Sequence, residues 1–320
     1  MSQSSNRKLV VALGGNAIST PGEQGTIYQQ FMHSRESAEL LCDAIQAGYQ
    51  LVITHGNGPQ VGNILRRSEI AASELYPIPL DVCVADTQAG MGYMIAQSLM
   101  NEFSGRQQSV AVTTIVTTVE VDRQDPAFGA PNKPIGPRLN AADAQAHQQD
   151  DGWDIVKLDD QVYRRVVASP QPQKIEELSI IRRLVDAGEL VICCGGGGIP
   201  VYRNEQGLLK GAAAVIDKDL TTALLARELD ISTLVMLTSV DRVYLNFGRR
   251  DQRALDEITR EQAQQYLDDG QFEAGSMAPK IEAAIDFLTH AADVAAQVII
   301  ADLTQLTSAL DGSEGTRILP

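Results

Sequence analysis

Three short apolar runs in this chain each lead directly into glycine. Lys8 to Leu13 meets Gly14-Gly15-Asn16, Leu51 to Thr54 meets His55-Gly56-Asn57-Gly58, and Leu190 to Cys194 meets Gly195-Gly196-Gly197-Gly198. Read as buried strands of one parallel sheet, they place three glycine turns along the carboxyl edge. Ligands of such sheets bind there, because glycine lets backbone N–H groups approach an anion and helix N-termini add positive potential. One glycine pair alone reads as a turn; three at equivalent places predict an anion site.

The runs Val110 to Val116, Leu234 to Leu237 and Val298 to Ile300 complete the expected strands. Between strands lie helical patterns at Glu36 to Ala47, Thr87 to Met100, Ile175 to Ala187, Leu220 to Leu229 and Met277 to His290. The alternation predicts an α/β fold, a mostly parallel open sheet sandwiched by helices. From Glu120 to about Pro172 the rhythm breaks: six prolines punctuate a polar segment with only two strand-like pieces, Asp154 to Leu158 and Tyr163 to Val167. This stretch, 120–172, reads as a small protruding β-rich subdomain or as a flexible surface insert.

Charge narrows the partners. A net charge of −15 and the lack of a clustered Lys/Arg patch argue against nucleic acid. The same charge repels any phosphorylated ligand, so a phosphate site must gather its few lysines in one place. No run is as long as a membrane span, and Met1 to Lys8 is a polar stub rather than an export segment, so a cytoplasmic enzyme is expected. Cys42, Cys83, Cys193 and Cys194 lack the spacing of zinc or redox pairs and read as reduced and mostly buried. His33, His55, His147 and His290 show no i, i+4 pairing, so no protein-built transition-metal site is expected.

Two nucleotide-binding patterns are missing: there is no Gly-x-x-x-x-Gly-Lys-Ser/Thr loop, and no Gly-x-Gly-x-x-Gly followed by a suitably spaced acid. The cations worth noting are in Val215-Ile216-Asp217-Lys218-Asp219, at the mouth of a helix, and Lys280, in the first turn of another. In isolation Asp219 reads as an N-cap and Lys218 as a solvated side chain. Lys280 sits where the helix dipole disfavours a cation, which points to an anion nearby.

Six segments resemble carbamate kinases, in that family's order: Val10 to Ala17, Thr54 to Asn63, Lys133-Pro134-Ile135-Gly136-Pro137, Cys194 to Val201, Val215 to Asp219 and Gly275 to Ala284. The resemblance spans nearly the whole chain. It implies a single amino-acid-kinase-like domain over 1–320, with a lobe at 1–188 for carbamate and the transferred phosphoryl group, including the 120–172 subdomain, and a nucleotide lobe at 189–320. Relatives such as N-acetylglutamate kinase carry a lysine two residues before the first Gly-Gly, where this chain has Ala12. In carbamate kinases that charge passes to a lysine of the protruding subdomain, which Lys133 matches.

By the same resemblance Lys218 and Lys280 contact nucleotide phosphates and Asp219 orients them. Gly14, Gly15, Asn16, Gly56, Asn57 and Gly58 serve carbamate and the moving phosphoryl group. Gly195, Gly196 and Met277, with Thr238, Ser239, Val240, Asp241 and Val243, serve the nucleotide. Ser239 and Arg242 depart from the glycine and tyrosine of one familiar version of that motif. The implied reaction needs no general base, since carbamate is already an oxyanion, and rests on alignment and charge neutralisation. Mg²⁺ is expected with ATP or ADP rather than on a protein carboxylate cage, and a homodimer is expected. His55 reads as a substrate contact or as a structural hydrogen bond. Two rivals stay in view: a paralogue phosphorylating another small carboxylate, and a nucleotide sensor that has lost the reaction.

Overall fold

Along strand Arg7–Leu13 the side chains alternate between two cores: Leu9, Val11 and Leu13 join one, Val10 and Ala12 the other. A strand buried on both faces belongs in the middle of a sheet covered by helices on either side. The computed structural model, which describes residues 7–15, 18, 23–159, 161–273, 275–291 and 293–320, has this arrangement. Asn16 lies outside the described residues.

Among the described residues the main sheet has eight strands, in the order Glu257–Thr259, Thr316–Leu319, Gln297–Asp302, Thr233–Thr238, Arg7–Leu13, Tyr49–His55, Leu190–Ile192 and Val112–Thr114. All neighbours are parallel except Gln297–Asp302 with Thr316–Leu319. Helices Ile27–Gln46 and Leu80–Gly105 cover one face; Leu178–Asp186, Lys218–Glu228 and Met277–His290 cover the other. Ile27–Gln46 begins nine residues before the expected Glu36, because Thr26 and Gln29 build a capping box there. Helix Gly58–Ile70 was not anticipated: its opening Gly58-Pro59 reads as loop in sequence, yet proline is well placed in the first turn of a helix.

The segment around 120–172 is folded rather than flexible. Its stem pairs Thr118–Val121 with Pro172–Ile175, and the expected strands appear as Ile155–Lys157 and Tyr163–Val167. These make a three-stranded sheet with Lys133–Leu139, and a helix, Ala141–Asp150, follows its Asn140 cap. Ile135 and Val167 bury themselves against Val61, Leu65 and Val84 in a third apolar cluster. Full burial of a side chain such as Ile135 contributes roughly 2 kcal/mol, and Arg165 adds an ion pair to Glu69 at 2.6 Å. The insert is therefore docked on helix Gly58–Ile70.

Candidate active site

Four adjacent parallel strands end side by side, presenting Thr238, Gly14, Gly56 and the Gly195–Gly198 turn at one edge of the sheet. Beyond them is a cavity of about 450 Å³. Gly14, Gly15, Gly56, Asn57, Gly58 and Gly196 line it, as do Lys133, Lys218, Asp219 and Lys280. The three lysines come from separate parts of the chain and meet in one space. Gly196 shows why glycine is needed: its φ is +62°, and a Cβ there would lie 2.1 Å from Asn57 Nδ2. Asn57 is held in turn by donating to Thr87 Oγ1 at 2.8 Å.

The charges are arranged around two aspartates. Asp217 caps helix Lys218–Glu228, its Oδ1 accepting from the Asp219 N–H at 2.8 Å. Its Oδ2 accepts from Lys133 Nζ. Asp219 bridges the other two lysines, Oδ1 accepting from Lys218 Nζ at 2.5 Å and Oδ2 from Lys280 Nζ at 2.8 Å. Burial by itself raises an aspartate pKa, but Lys218 and Lys280 outweigh it and hold the Asp219 carboxyl far below the usual range. Asp217 is lowered in the same way, burial being overcome by Lys133. Lys280 is raised, because Asp219 overcomes the cost of burial. Lys218 is lowered, since burial and the nearby Lys280 charge prevail over Asp219. The result is a desolvated cationic pocket in an acidic protein, suited to an oxyanion with several negative oxygens.

His55 is buried beneath the pocket, with Nδ1 at 3.1 Å from the Gly56 carbonyl oxygen. Burial pushes its pKa down to about 4, so it is a neutral ring whose Nδ1–H donates to that oxygen. It does not line the cavity, which supports the structural role over the substrate contact.

Three residues of the site were missed in the sequence. Asp217 was noted only as part of a charged cluster, although it is the partner of Lys133. Arg138 and Arg164, both from the insert, also line the cavity. No local motif marks them; they reach the wall because Lys133–Leu139 pairs antiparallel with Tyr163–Val167.

On the side away from the insert a smaller cavity of about 70 Å³ shares Thr238, Ser239, Glu273 and Ser276 with the first, and Val240, Phe272 and Met277 line it. Asp241 faces an adjoining cavity of about 350 Å³. Two expected nucleotide residues lie elsewhere. Val243 is fully buried in a strand, its N–H donating to Thr316 Oγ1 at 2.8 Å. Gly195 packs under His55, where a Cβ would be 2.4 Å from Nε2. The Val243 side chain is consumed by core packing, and the missing side chain of Gly195 leaves room for the His55 ring.

A glycine floor at the carboxyl edge of a parallel sheet, roofed by paired lysines, defines a protein that handles phosphorylated anions without a P-loop. The comparisons with known proteins agree. The model of the amino acid kinase family matches residues 7–302. Carbamate kinase 2 of Enterococcus faecalis is 42% identical over 312 residues, covering 97% of this chain and 97% of that protein. Carbamate kinase from Giardia lamblia bound to citric acid superposes with a TM-score of 0.93 at 37% identity, covering 98% of this chain and 99% of that one. The same Giardia enzyme bound to AMP-PNP gives 0.89 at 37% identity, with coverages of 98% and 99%. The chain belongs to the amino acid kinase family and, within it, to the carbamate kinases.

Proposed function

We propose that this protein transfers a phosphoryl group reversibly between ATP and carbamate, with ADP and carbamoyl phosphate as the other pair. The observation that carries the reading is the convergence of Lys133, Lys218 and Lys280 on one cavity in a chain of this family. An oxygen of carbamate attacks the terminal phosphorus while the bond to the bridging oxygen of ADP breaks. No proton moves, so no general base is needed.

In this reading the lobe at 1–188, with Gly14, Gly15, Asn16, Gly56, Asn57 and Gly58, holds the carbamate side. The lobe at 189–320 holds the nucleotide, with Lys218 and Lys280 on its phosphates and Ser239, Val240 and Met277 near the adenosine. Lys133, delivered by the insert, balances charge on the moving phosphoryl group. Mg²⁺ travels on the nucleotide: Asp217 and Asp219 are both engaged by lysines, which fits a metal held by phosphate oxygens. When bound it supplies further neutralisation of phosphate charge.

Val82, Tyr93 and Met100 are exposed along one stripe of helix Leu80–Gly105, which supports a homodimer. No described helix is long and apolar enough to cross a membrane, and we place the enzyme in the cytoplasm. The test of the reaction is direct. Protein mixed with ADP, Mg²⁺ and carbamoyl phosphate produces ATP; folded, ADP-binding protein that produces none contradicts the reading.

A further inference from the structure

We propose that Arg164 and Arg138 anchor the oxygen end of the acceptor, binding the carboxylate of carbamate and the carbonyl oxygen that stays free in carbamoyl phosphate. The assignment rests on the carbamate reading above and adds to it the residues that select the acceptor.

The other cations of the cavity already have counterions: Lys133 has Asp217, and Lys218 and Lys280 share Asp219. Arg164 and Arg138 line the same cavity, and neither forms an ion pair among the described residues. Arg164 Nη2 donates to the Gly136 carbonyl oxygen at 2.9 Å, which ties one edge of the guanidinium to the neighbouring strand. Its Nε is buried and has no acceptor among the described residues. Burial, and then the like charge of Arg138, lower its pKa to about 10.

A buried donor on an uncompensated cation is costly unless a ligand completes it. Support of Gly136 explains one Nη2–H and leaves the buried Nε–H unexplained. The ligand that completes it must accept hydrogen bonds and carry negative charge. Of carbamate's two ends only the oxygens do both, and a planar guanidinium matches a planar carboxylate better than an ammonium can. The position agrees. Both arginines belong to the insert strands that carry Lys133, whose neighbour Pro134 faces the acceptor loop at Gly58. The arginines donate hydrogen bonds only and take no part in bond making.

The test compares R164M, R164K and R138M with the wild type in ATP formation from ADP and carbamoyl phosphate. In R164M the KM for carbamoyl phosphate rises about tenfold or more, as expected for the loss of a charge-assisted hydrogen bond. The KM for ADP changes by less than about twofold, because that ligand binds on the other lobe. R164K recovers part of the affinity, and R138M, at an exposed position, raises the same KM by a smaller factor. If R164M does not fold, R164K and R138M decide the matter.

An unchanged KM for carbamoyl phosphate in the folded variants overturns the assignment, as does an equal rise in both KM values. Wild-type protein that makes no ATP overturns the carbamate reading itself, a different failure from a wild type that makes ATP beside variants that bind carbamoyl phosphate normally.

Discussion

Lys133 of the insert donates to the Asp217 carboxylate that caps helix Lys218–Glu228, a contact spanning 84 residues of chain. It joins the two sides of the cavity. On the proposed reading, Asp217 positions Lys133 for the phosphoryl group that replaces it as counterion. Asp217→Asn keeps the helix cap through its side-chain oxygen and loses the charge pairing, so kcat falls roughly tenfold, the worth of one positioned charge. In a Lys133→Ala background the same substitution has little further effect. Additive losses in that double-mutant cycle contradict the positioning role.

Asp219 is the shared counterion of Lys218 and Lys280. Asp219→Asn leaves two buried ammonium groups facing each other, and urea unfolding should show a loss of about 3 kcal/mol. ADP then raises Tm more in the variant than in the wild type, because phosphate takes the place of the missing carboxylate. Equal ADP shifts in both proteins argue against phosphate binding at these lysines.

Gly62 of helix Gly58–Ile70 lies against the insert, where an added Cβ would be 2.1 Å from the Gly136 nitrogen. Gly62→Ala must push the insert away or distort the helix, at a cost of about 1–3 kcal/mol. Lys133 and Arg164 move with the insert, so activity drops more than stability alone accounts for. A variant with wild-type activity shows that the docking seen here is not needed for turnover.

His55 gives the stability a pH dependence of defined sign. Its folded pKa of about 4 lies below the unfolded value of about 6.5. Between those values the unfolded chain binds a proton that the native state refuses, so stability present above pH ~6.5 declines as pH falls toward ~4, by at most about 1.4 kcal/mol per pH unit. His55→Gln removes that slope. His33 has the opposite sign, because its two glutamate neighbours overcome the effect of burial and raise its pKa, and it cancels when the two proteins are compared. Parallel stability–pH curves for wild type and His55→Gln contradict the assignment of a neutral buried ring.

Features set by local periodicity were readable from the sequence. Strands Arg7–Leu13, Tyr49–His55 and Leu190–Ile192 are neighbours whose glycines share one edge, as their apolar runs predict. Lys133, Lys218 and Lys280 share a cavity, as the family motifs imply. What remained hidden depends on distant pairing. Asp217 shows its partner only when the insert folds over the helix. Arg164 and Arg138 come together on the cavity wall only when two insert strands pair around an irregular register. Helix Ala141–Asp150 is polar, with Ala144 its one buried residue, so it carries no apolar stripe for a sequence reading to detect. Val243 and Gly195 fall next to pocket residues in sequence, yet Val243 packs into the core and Gly195 makes room for His55.

The central claim, that an insert lysine neutralises the transferring phosphoryl group, is tested most directly by ATP formation in wild type and Lys133→Ala, with ADP affinity measured on the same samples. The account predicts a fall in kcat of about a hundredfold or more with ADP affinity within about threefold. A Lys133→Ala enzyme that turns over as fast as the wild type contradicts it.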